Sequence, residues 1–158
     1  MKAYSIELQF YKPEYLKALQ AYQLPEEQEQ YTALPIQRLD SSDGKHPIVI
    51  TANSKPVGFF VLHENAYIHE YTTNPHAFML TAFSIDYAQQ GQGYAAIGLG
   101  LLKSFVSQHF PACNEIALAV NHKNIPAQRL YMKVGFIDTG RRHKGIIGEQ
   151  FILRLSLL

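Results

Sequence analysis

Cysteine, unbalanced charge and long apolar runs are all scarce in this chain, and each scarcity excludes a class of protein. The one cysteine, Cys113, cannot form an internal disulfide, and no Cys/His cluster has the spacing of a zinc site. With 14 basic and 13 acidic residues, the formal net charge of +1 provides no field that would attract nucleic acid or an anionic membrane. No segment approaches the roughly 20 apolar residues needed to span a bilayer.

The abundant residues suit a single globular domain. Of the 158 residues, 47% are hydrophobic, which is enough for a core without disulfides or metals. Lys2 and Glu7 stand where a secretory signal would need an apolar stretch. We therefore expect one domain over residues 1–158 in the cytoplasm, with no metal and neither nucleic acid nor a membrane as partner.

Apolar periodicity and turn residues predict an alternation of strands and helices. The expected strands cover residues 5–11, 47–52, 56–63, 78–86, 115–120, 136–141 and 150–157. The expected helices cover 13–22, 93–110 and 125–134, with a short helix or structured loop at 24–31. This order indicates an α/β or α+β domain with a mixed sheet.

The most informative segment passes from the strand at 78–86 through two glycines directly into a helix. It has the sequence Gln90-Gly91-Gln92-Gly93-Tyr94-Ala95. Glycine permits positive φ and close approach of a ligand, and the first turn of a helix leaves its N–H groups without intrahelical partners. Together with the positive end of the helix dipole, these donors favour a phosphate group.

A tight strand-to-helix turn would explain the same glycine pair, so the loop alone does not decide between a turn and a phosphate site. A P-loop would require Gly-Lys-Ser/Thr at the helix start. A dinucleotide fold would require a third glycine and an acidic residue about 20 positions later. Neither pattern occurs, which disfavours both of these nucleotide-binding folds.

A second segment, residues 121–136, combines a strand end, a helix and a glycine stop. Asn124 suits the N-cap of the helix, and Pro126 suits its first turn. Ala127 and Tyr131 fall on one face of this helix. By itself this pattern predicts that Tyr131 is an aromatic residue of the core.

The two segments, in this order and separation, resemble the GNAT acetyltransferase superfamily over about residues 47–157. Gln90-x-x-Gly93-x-Ala95 is similar to the family's pyrophosphate motif, and Asn124-x-x-Ala127-x-x-Leu130-Tyr131-x-x-x-Gly135-Phe136 resembles its second motif. The resemblance implies a mixed, mostly antiparallel sheet flanked by helices. It also implies that the strand before the loop and the strand after the long helix run parallel and then splay, so that acyl-CoA enters the gap.

The resemblance further implies an acetyl-CoA site built from both motifs. Backbone N–H groups from Gln92 to Ala95 would bind the pyrophosphate, and main-chain bonds at Phe83 and Ile85 would hold the pantetheine arm. The cofactor-binding residues implied are Phe83, Ser84, Ile85, Gln90, Gly91, Gln92, Gly93, Tyr94, Ala95, Asn124, Ala127 and Tyr131. Tyr131 would lie near the CoA sulfur as general acid, since a phenol holds its proton at neutral pH.

The reaction expected from this resemblance is acetyl transfer to an amine by direct attack in a ternary complex. An oxyanion donor is expected among the backbone N–H groups of residues 83–85, because related enzymes bulge this strand. Some family members carry a glutamate on the same strand, whereas residues 79–82 contain no acid. The general base therefore stays open between a water relay and the candidates His69, Glu70, His76 and His143.

Signals for the acceptor are weaker. An acidic cluster of Glu26, Glu27 and Glu29 faintly resembles the corresponding region of spermine and spermidine acetyltransferases, and it also suits a solvated helix face. Glu70 and Tyr71 suit an ammonium ligand, and their alternation with neighbours equally suits an edge strand. We expect a small amine such as a polyamine, or an amino terminus, as acceptor, with Glu27, Glu70 and Tyr71 as its contacts.

Two other functions are compatible with the same motifs. A non-catalytic acyl-CoA sensor would keep the cofactor site without needing Tyr131, and a domain that shares only the fold would bind no CoA. The apolar residues 151–158 predict an exposed strand edge, which suggests a homodimer.

Overall fold

The computed structural model describes residues 5–158; Lys2, used above, lies outside the described residues. The strands are β1 (Ile6–Phe10), β2 (Lys45–Ala52), β3 (Lys55–His63), β4 (Ala77–Ile85), β5 (Glu115–Asn121), β6 (Ile137–Gly145) and β7 (Gly148–Ser156). The α-helices are α1 (Leu16–Gln20), α2 (Glu26–Glu29), α3 (Tyr94–Gly100), α4 (Leu102–His109) and α5 (Ile125–Lys133). The predicted order of elements is therefore confirmed.

The strands form one sheet in the order β1-β2-β3-β4-β5-β7-β6. Among the described strands, β4 and β5 are the one parallel pair, and every other neighbouring pair is antiparallel. This is the mixed, mostly antiparallel sheet that the sequence predicted.

β4 and β5 separate soon after they meet. Their ladder runs from Ala77, opposite Glu115, to Met79, opposite Ala117, and then stops although both strands continue. Antiparallel partners on the outer sides, β3 and β7, hold the two diverging ends. The predicted gap between splayed parallel strands is confirmed.

A bulge in β4 lies beside this gap. The register of β4 against β3 shifts by one residue after Thr81, so Ala82 and Phe83 together oppose Phe60. Ala82 has a φ of +55°, a backbone conformation that residues other than glycine rarely adopt. Bulges re-aim the groups of a strand and are common next to active sites, so the strain falls where a ligand would enter.

The long helix predicted over 93–110 is two helices that continue into each other. α3 and α4 meet at Leu101, which keeps right-handed helical angles (φ −88°, ψ −9°). Leu99, Leu102 and Val106 are buried against one face of the sheet. Because the two helices stay nearly continuous, the glycine loop lies at the start of a long helical segment.

Helices cover both faces of the sheet. α3, α4 and α5 pack on one face, over Ile48 and Ile50 of β2. On the other face, Leu19 of α1 and Tyr22 pack on Val49 and its neighbours in β3. Successive side chains of β2 thus pack alternately into the two cores on either side of the sheet, and residues 48–50 are fully buried.

The C-terminal strand is not an edge of the sheet, so the expectation of an exposed apolar edge at 151–158 was wrong. β7 lies between β5 and β6 and pairs with both, and Ile152 and Leu153 are buried. The edge is β6, which carries Asp138 and Arg142 as an exposed ion pair with an N–O distance of 2.9 Å. Charged edge strands resist pairing with another chain, so the argument for a homodimer from this edge no longer holds.

Among residues 5–158, no helix is both long and apolar enough to cross a bilayer. Nor do three or more His, Cys, Asp or Glu side chains in the same range group as a metal site would require. Cys113 is buried, and its thiol donates to the Glu115 carbonyl over 3.3 Å, so it serves packing.

Gly58 of β3 provides a test of the packing around the bulge. A Cβ at Gly58 would lie 2.6 Å from Ile85 Cδ1 and 3.1 Å from the Ser84 carbonyl oxygen. Gly58→Ala should therefore lower the free energy of unfolding by about 1–3 kcal/mol. Gly100→Ala is the control, since its Cβ would meet nothing within 4 Å and should stabilise the helix by up to about 1 kcal/mol. Equal Tm values for the two variants would contradict this packing.

Candidate active site

A cavity of about 1020 Å³ opens where β4 and β5 separate. The glycine loop and the start of α5 form one side, and α2, the turn at Ala66–Glu70 and the β6–β7 hairpin form the other. Most of the site residues predicted from sequence lie on its wall: Glu27, Tyr71, Phe83, Ser84, Ile85, Gln90, Gly91, Gly93, Tyr94, Ala95, Asn124, Ala127 and Tyr131. Gln92 and Glu70 are the two that do not lie on the wall.

The glycine loop has the geometry that an anion requires. Gly91 and Gly93 have φ values of +81° and +82°, and a Cβ at either would meet nothing within 4 Å. In the described part of the chain, the backbone N–H groups of Gln92, Gly93 and Ala95 donate to no protein acceptor. These donors surround the N-terminus of the α3–α4 segment, where the helix dipole is positive.

Gln90 braces the loop through its side chain. Its amide nitrogen donates to the Ile85 carbonyl over 2.8 Å. It also exchanges hydrogen bonds with the Gln28 amide, at 2.8 and 3.1 Å. Gln90 therefore connects the end of β4 to α2, and its side-chain amide is committed within the protein.

Ser84 is committed in a similar way. Its hydroxyl shares a buried hydrogen bond of 2.6 Å with the hydroxyl of Tyr22. Burial raises the pKa of Tyr22, so this phenol stays protonated. The Ser84 hydroxyl is thus committed within the protein rather than offered to the cavity. Sequence reasoning missed both braces because their partners are 62 residues apart.

Tyr131 lies on α5, whose start is fixed by its cap. Asn124 Oδ1 accepts a hydrogen bond from the Ala127 N–H over 3.4 Å, as predicted for the N-cap. The Tyr131 ring meets Phe83 and Phe136 edge-on, with centroid distances of 6.1 and 5.7 Å.

The Tyr131 hydroxyl is a protonated group without a hydrogen-bond partner among residues 5–158. Its side chain is only 8% exposed, and burial raises its pKa. Among the described residues, none forms a hydrogen bond with this hydroxyl, although the residue lies on the cavity wall. The cavity therefore contains an O–H donor that is available to a ligand.

The opposite wall carries the residues proposed for an acceptor. Residues 66–70 form a 3-10 turn rather than an edge strand. The turn brings the Tyr67 and Tyr71 hydroxyls to 3.2 Å from each other, and burial raises the pKa of Tyr71. The His143 ring packs on Tyr71 at a centroid distance of 4.5 Å with a tilt of 40°, and its Nε2 lies 3.4 Å from Glu70 Oε2. Glu70 thus does not line the cavity itself but contacts His143, which does.

None of the histidines suggested as a base has a free nitrogen on the cavity wall. His69 and His76 are exposed and do not line the cavity. His143 lines it, but its Nδ1 donates to Gln150 Oε1 over 3.0 Å and its Nε2 faces Glu70. Because both nitrogens are engaged, His143 suits a wall residue better than a proton acceptor.

A splayed parallel pair, a glycine loop at a helix start and a buried tyrosine hydroxyl together define an acyltransferase type of site. The model of the Acetyltransferase (GNAT) family matches residues 8–136. The uncharacterized N-acetyltransferase YbbJ of Bacillus subtilis (strain 168) is 46% identical over 152 residues, which cover 94% of this chain and 95% of that protein. The chain therefore belongs to the GNAT acetyltransferase family, as the two motifs had indicated.

Solved structures agree on the fold. The aminoglycoside acetyltransferase AAC(6')-Ib in complex with coenzyme A and kanamycin superposes with a TM-score of 0.77 at 16% identity, covering 96% of this chain and 95% of that one. A GNAT family acetyltransferase from Bacillus anthracis gives a TM-score of 0.71 at 15% identity, covering 99% and 97%. The mixed sheet with splayed parallel strands is the fold that they share with this chain.

Proposed function

We propose that residues 1–158 form one catalytic domain that transfers an acetyl group from acetyl-CoA to a primary amine of a small molecule. The observation that carries this proposal is that one cavity joins an anion-accepting loop, a protonated Tyr131 hydroxyl and an aromatic acceptor wall. The structural neighbour solved with coenzyme A and kanamycin supports both the donor and an amine acceptor.

The residues on one side of the cavity fit acetyl-CoA. Gly91 and Gly93 leave open space where any Cβ would crowd a phosphate, and among residues 5–158 the N–H groups of Gln92, Gly93 and Ala95 donate to no protein acceptor. We assign the pyrophosphate to this loop. We assign the pantetheine arm to the main chain of residues 83–85 and to the start of α5, at Asn124 and Ala127. The acetyl thioester supplies an activated acyl group at the bottom of the gap.

Tyr131 and the β4 bulge would then perform the chemistry. The amine attacks the carbonyl carbon, forming a C–N bond as the C–S bond breaks. The neutral amine nitrogen loses one proton to water and the sulfur gains one from the Tyr131 hydroxyl. The resulting Tyr131 phenolate takes a proton back from water, so the enzyme is restored. Backbone groups at the bulge around Ala82 and Phe83 lie beside the gap and suit stabilisation of the carbonyl oxygen as negative charge develops.

The acceptor would lie between α2 and the β6–β7 hairpin. Glu27 and Tyr71 line this side, and Glu70 acts through His143. A carboxylate and aromatic faces together suit an ammonium-bearing molecule. Polyamines, aminoglycosides and amino-terminal groups are the acceptor classes to compare.

The test is thiol release from acetyl-CoA with a panel of polyamines, aminoglycosides, amino acids and short peptides. We expect release that depends on the amine and a product heavier by one acetyl group in mass spectrometry. Release at the same slow rate with and without every amine would contradict the proposal. If calorimetry still detected acetyl-CoA binding in that case, a non-catalytic sensor would be the better explanation.

A further inference from the structure

A hydroxyl on the acceptor side is oriented by a half-buried histidine that the sequence did not single out. Thr81 Oγ1 and His63 Nε2 are 2.6 Å apart, on neighbouring strands β4 and β3. Thr81 lines the cavity and is the last residue of β4 before the bulge. It also lies just beyond Met79, the last residue of β4 that pairs with β5. The hydroxyl is therefore at the opening between the two strands.

His63 is neutral in this position. Burial, followed by the positive charges of Lys45 and Arg38, lowers the pKa of His63 to about 4. Its ring lies 5.3 Å from that of Tyr67, and its Nδ1 is buried without a partner among the described residues. A buried nitrogen without a partner is costly, and a catalytic role is one of the reasons for which native proteins keep such a group.

We infer that Thr81 Oγ1 accepts a hydrogen bond from the acceptor amine while its own O–H donates to His63 Nε2. A threonine hydroxyl has one donor and two acceptor sites, so a proton directed to His63 leaves lone pairs for an N–H of the amine. The nitrogen lone pair then stays free to face the thioester carbon, since the hydroxyl cannot donate to it. Thr81 is thereby a catalytic residue and His63 a positioning residue.

His63 does not serve as the general base in this arrangement. An alkylammonium group has a pKa of about 10.4, so proton transfer to His63 would be unfavourable by about a millionfold. A neutral imidazole can still accept a hydrogen bond from the Thr81 hydroxyl. Its effect on the reaction is therefore to orient Thr81 and not to hold the amine proton.

This inference rests on the proposed acetyl transfer, and steady-state kinetics with an amine that turns over tests it separately. Thr81→Val removes the hydroxyl at nearly constant volume and should lower kcat about tenfold or more, with the KM for acetyl-CoA within about twofold. Thr81→Ser keeps the hydroxyl and should retain kcat within about threefold. Thermal unfolding of each variant checks that the fold is preserved.

A double-mutant cycle tests the part assigned to His63. His63→Leu should lower kcat in the wild-type background and have no further effect in Thr81→Val, because it acts through the hydroxyl. His63→Gln, whose amide reaches the Nε2 position, should recover part of the loss. If His63→Leu does not fold, the comparison of His63→Gln with the wild type in the two Thr81 backgrounds decides.

Three results would overturn the inference. If Thr81→Val keeps kcat within twofold of wild type, the Thr81 hydroxyl has no role in the reaction, and the proposed function still stands. If the effects of the His63 and Thr81 substitutions on kcat are additive, His63 does not act through Thr81. A wild-type protein that acetylates no amine overturns the proposed function, and this inference with it.

Discussion

Tyr131→Phe is expected to lower kcat by about 10²–10⁴-fold, the range typical of removing a general acid. The phenylalanine ring keeps the edge-on contacts with Phe83 and Phe136, so only the hydroxyl is lost. Because that hydroxyl lines the cavity and has no hydrogen-bond partner among residues 5–158, its removal should leave Tm unchanged or slightly raised. The measurement combines thiol-release kinetics with thermal unfolding and calorimetric acetyl-CoA binding.

Tyr15→Phe is the matched control for Tyr131→Phe. Tyr15 is half-buried against α1 and does not line the cavity, so its hydroxyl should not affect kcat. A Tyr131→Phe variant that retains kcat within about twofold would show that another group protonates the sulfur. A weakened acetyl-CoA affinity at unchanged kcat would place the hydroxyl in binding rather than in catalysis.

Gly93→Val is expected to weaken acetyl-CoA binding by about 10- to 100-fold, measured by calorimetry. The valine would fill the open space at the N-terminus of α3 and displace a phosphate from the loop N–H groups. Hydrogen bonds to charged groups contribute about 1.5–3 kcal/mol each, and about 1.4 kcal/mol corresponds to a tenfold change in affinity. Loss of one such bond gives the expected range.

Gly140→Val separates this effect from backbone strain. Gly140 has the same φ of +82°, and a Cβ there would also meet nothing within 4 Å, but it lies on β6 away from the cavity. Both valines should therefore lower stability by a similar amount, of order 1–3 kcal/mol, while Gly93→Val alone weakens binding. Equal affinities for the two variants would contradict a phosphate site at this loop.

The parts predicted correctly from sequence depend on local patterns. The loop at 90–95 and the helix at 125–133 could be predicted from neighbouring residues. Glycine conformation, capping and helical spacing each depend on only a few consecutive positions. Asn124 caps α5 as expected, and Tyr131 falls on its buried face as expected. Their roles toward a cofactor stay predictions, which the two experiments above test.

The parts that sequence reasoning missed depend on contacts between distant residues. Thr81 and His63 meet only because β4 pairs with β3 in a particular register, and the bulge at Ala82 shifts that register by one residue. The edge predicted at the C-terminus was wrong for the same reason. Strand alternation identifies an apolar face but does not indicate which strand will pair beyond it.

The sequence by itself determined the family, the order of elements and the two segments that form the candidate cofactor site. Only the tertiary structure decided which groups on those segments are committed elsewhere. It engages the side chains of Gln90 and Ser84 in hydrogen bonds with Gln28 and Tyr22, and within residues 5–158 it leaves the Tyr131 hydroxyl without a partner. The physical reason is that a hydrogen-bonding group becomes available to a ligand only when the packed protein around it supplies no partner, and this depends on contacts that no local pattern encodes.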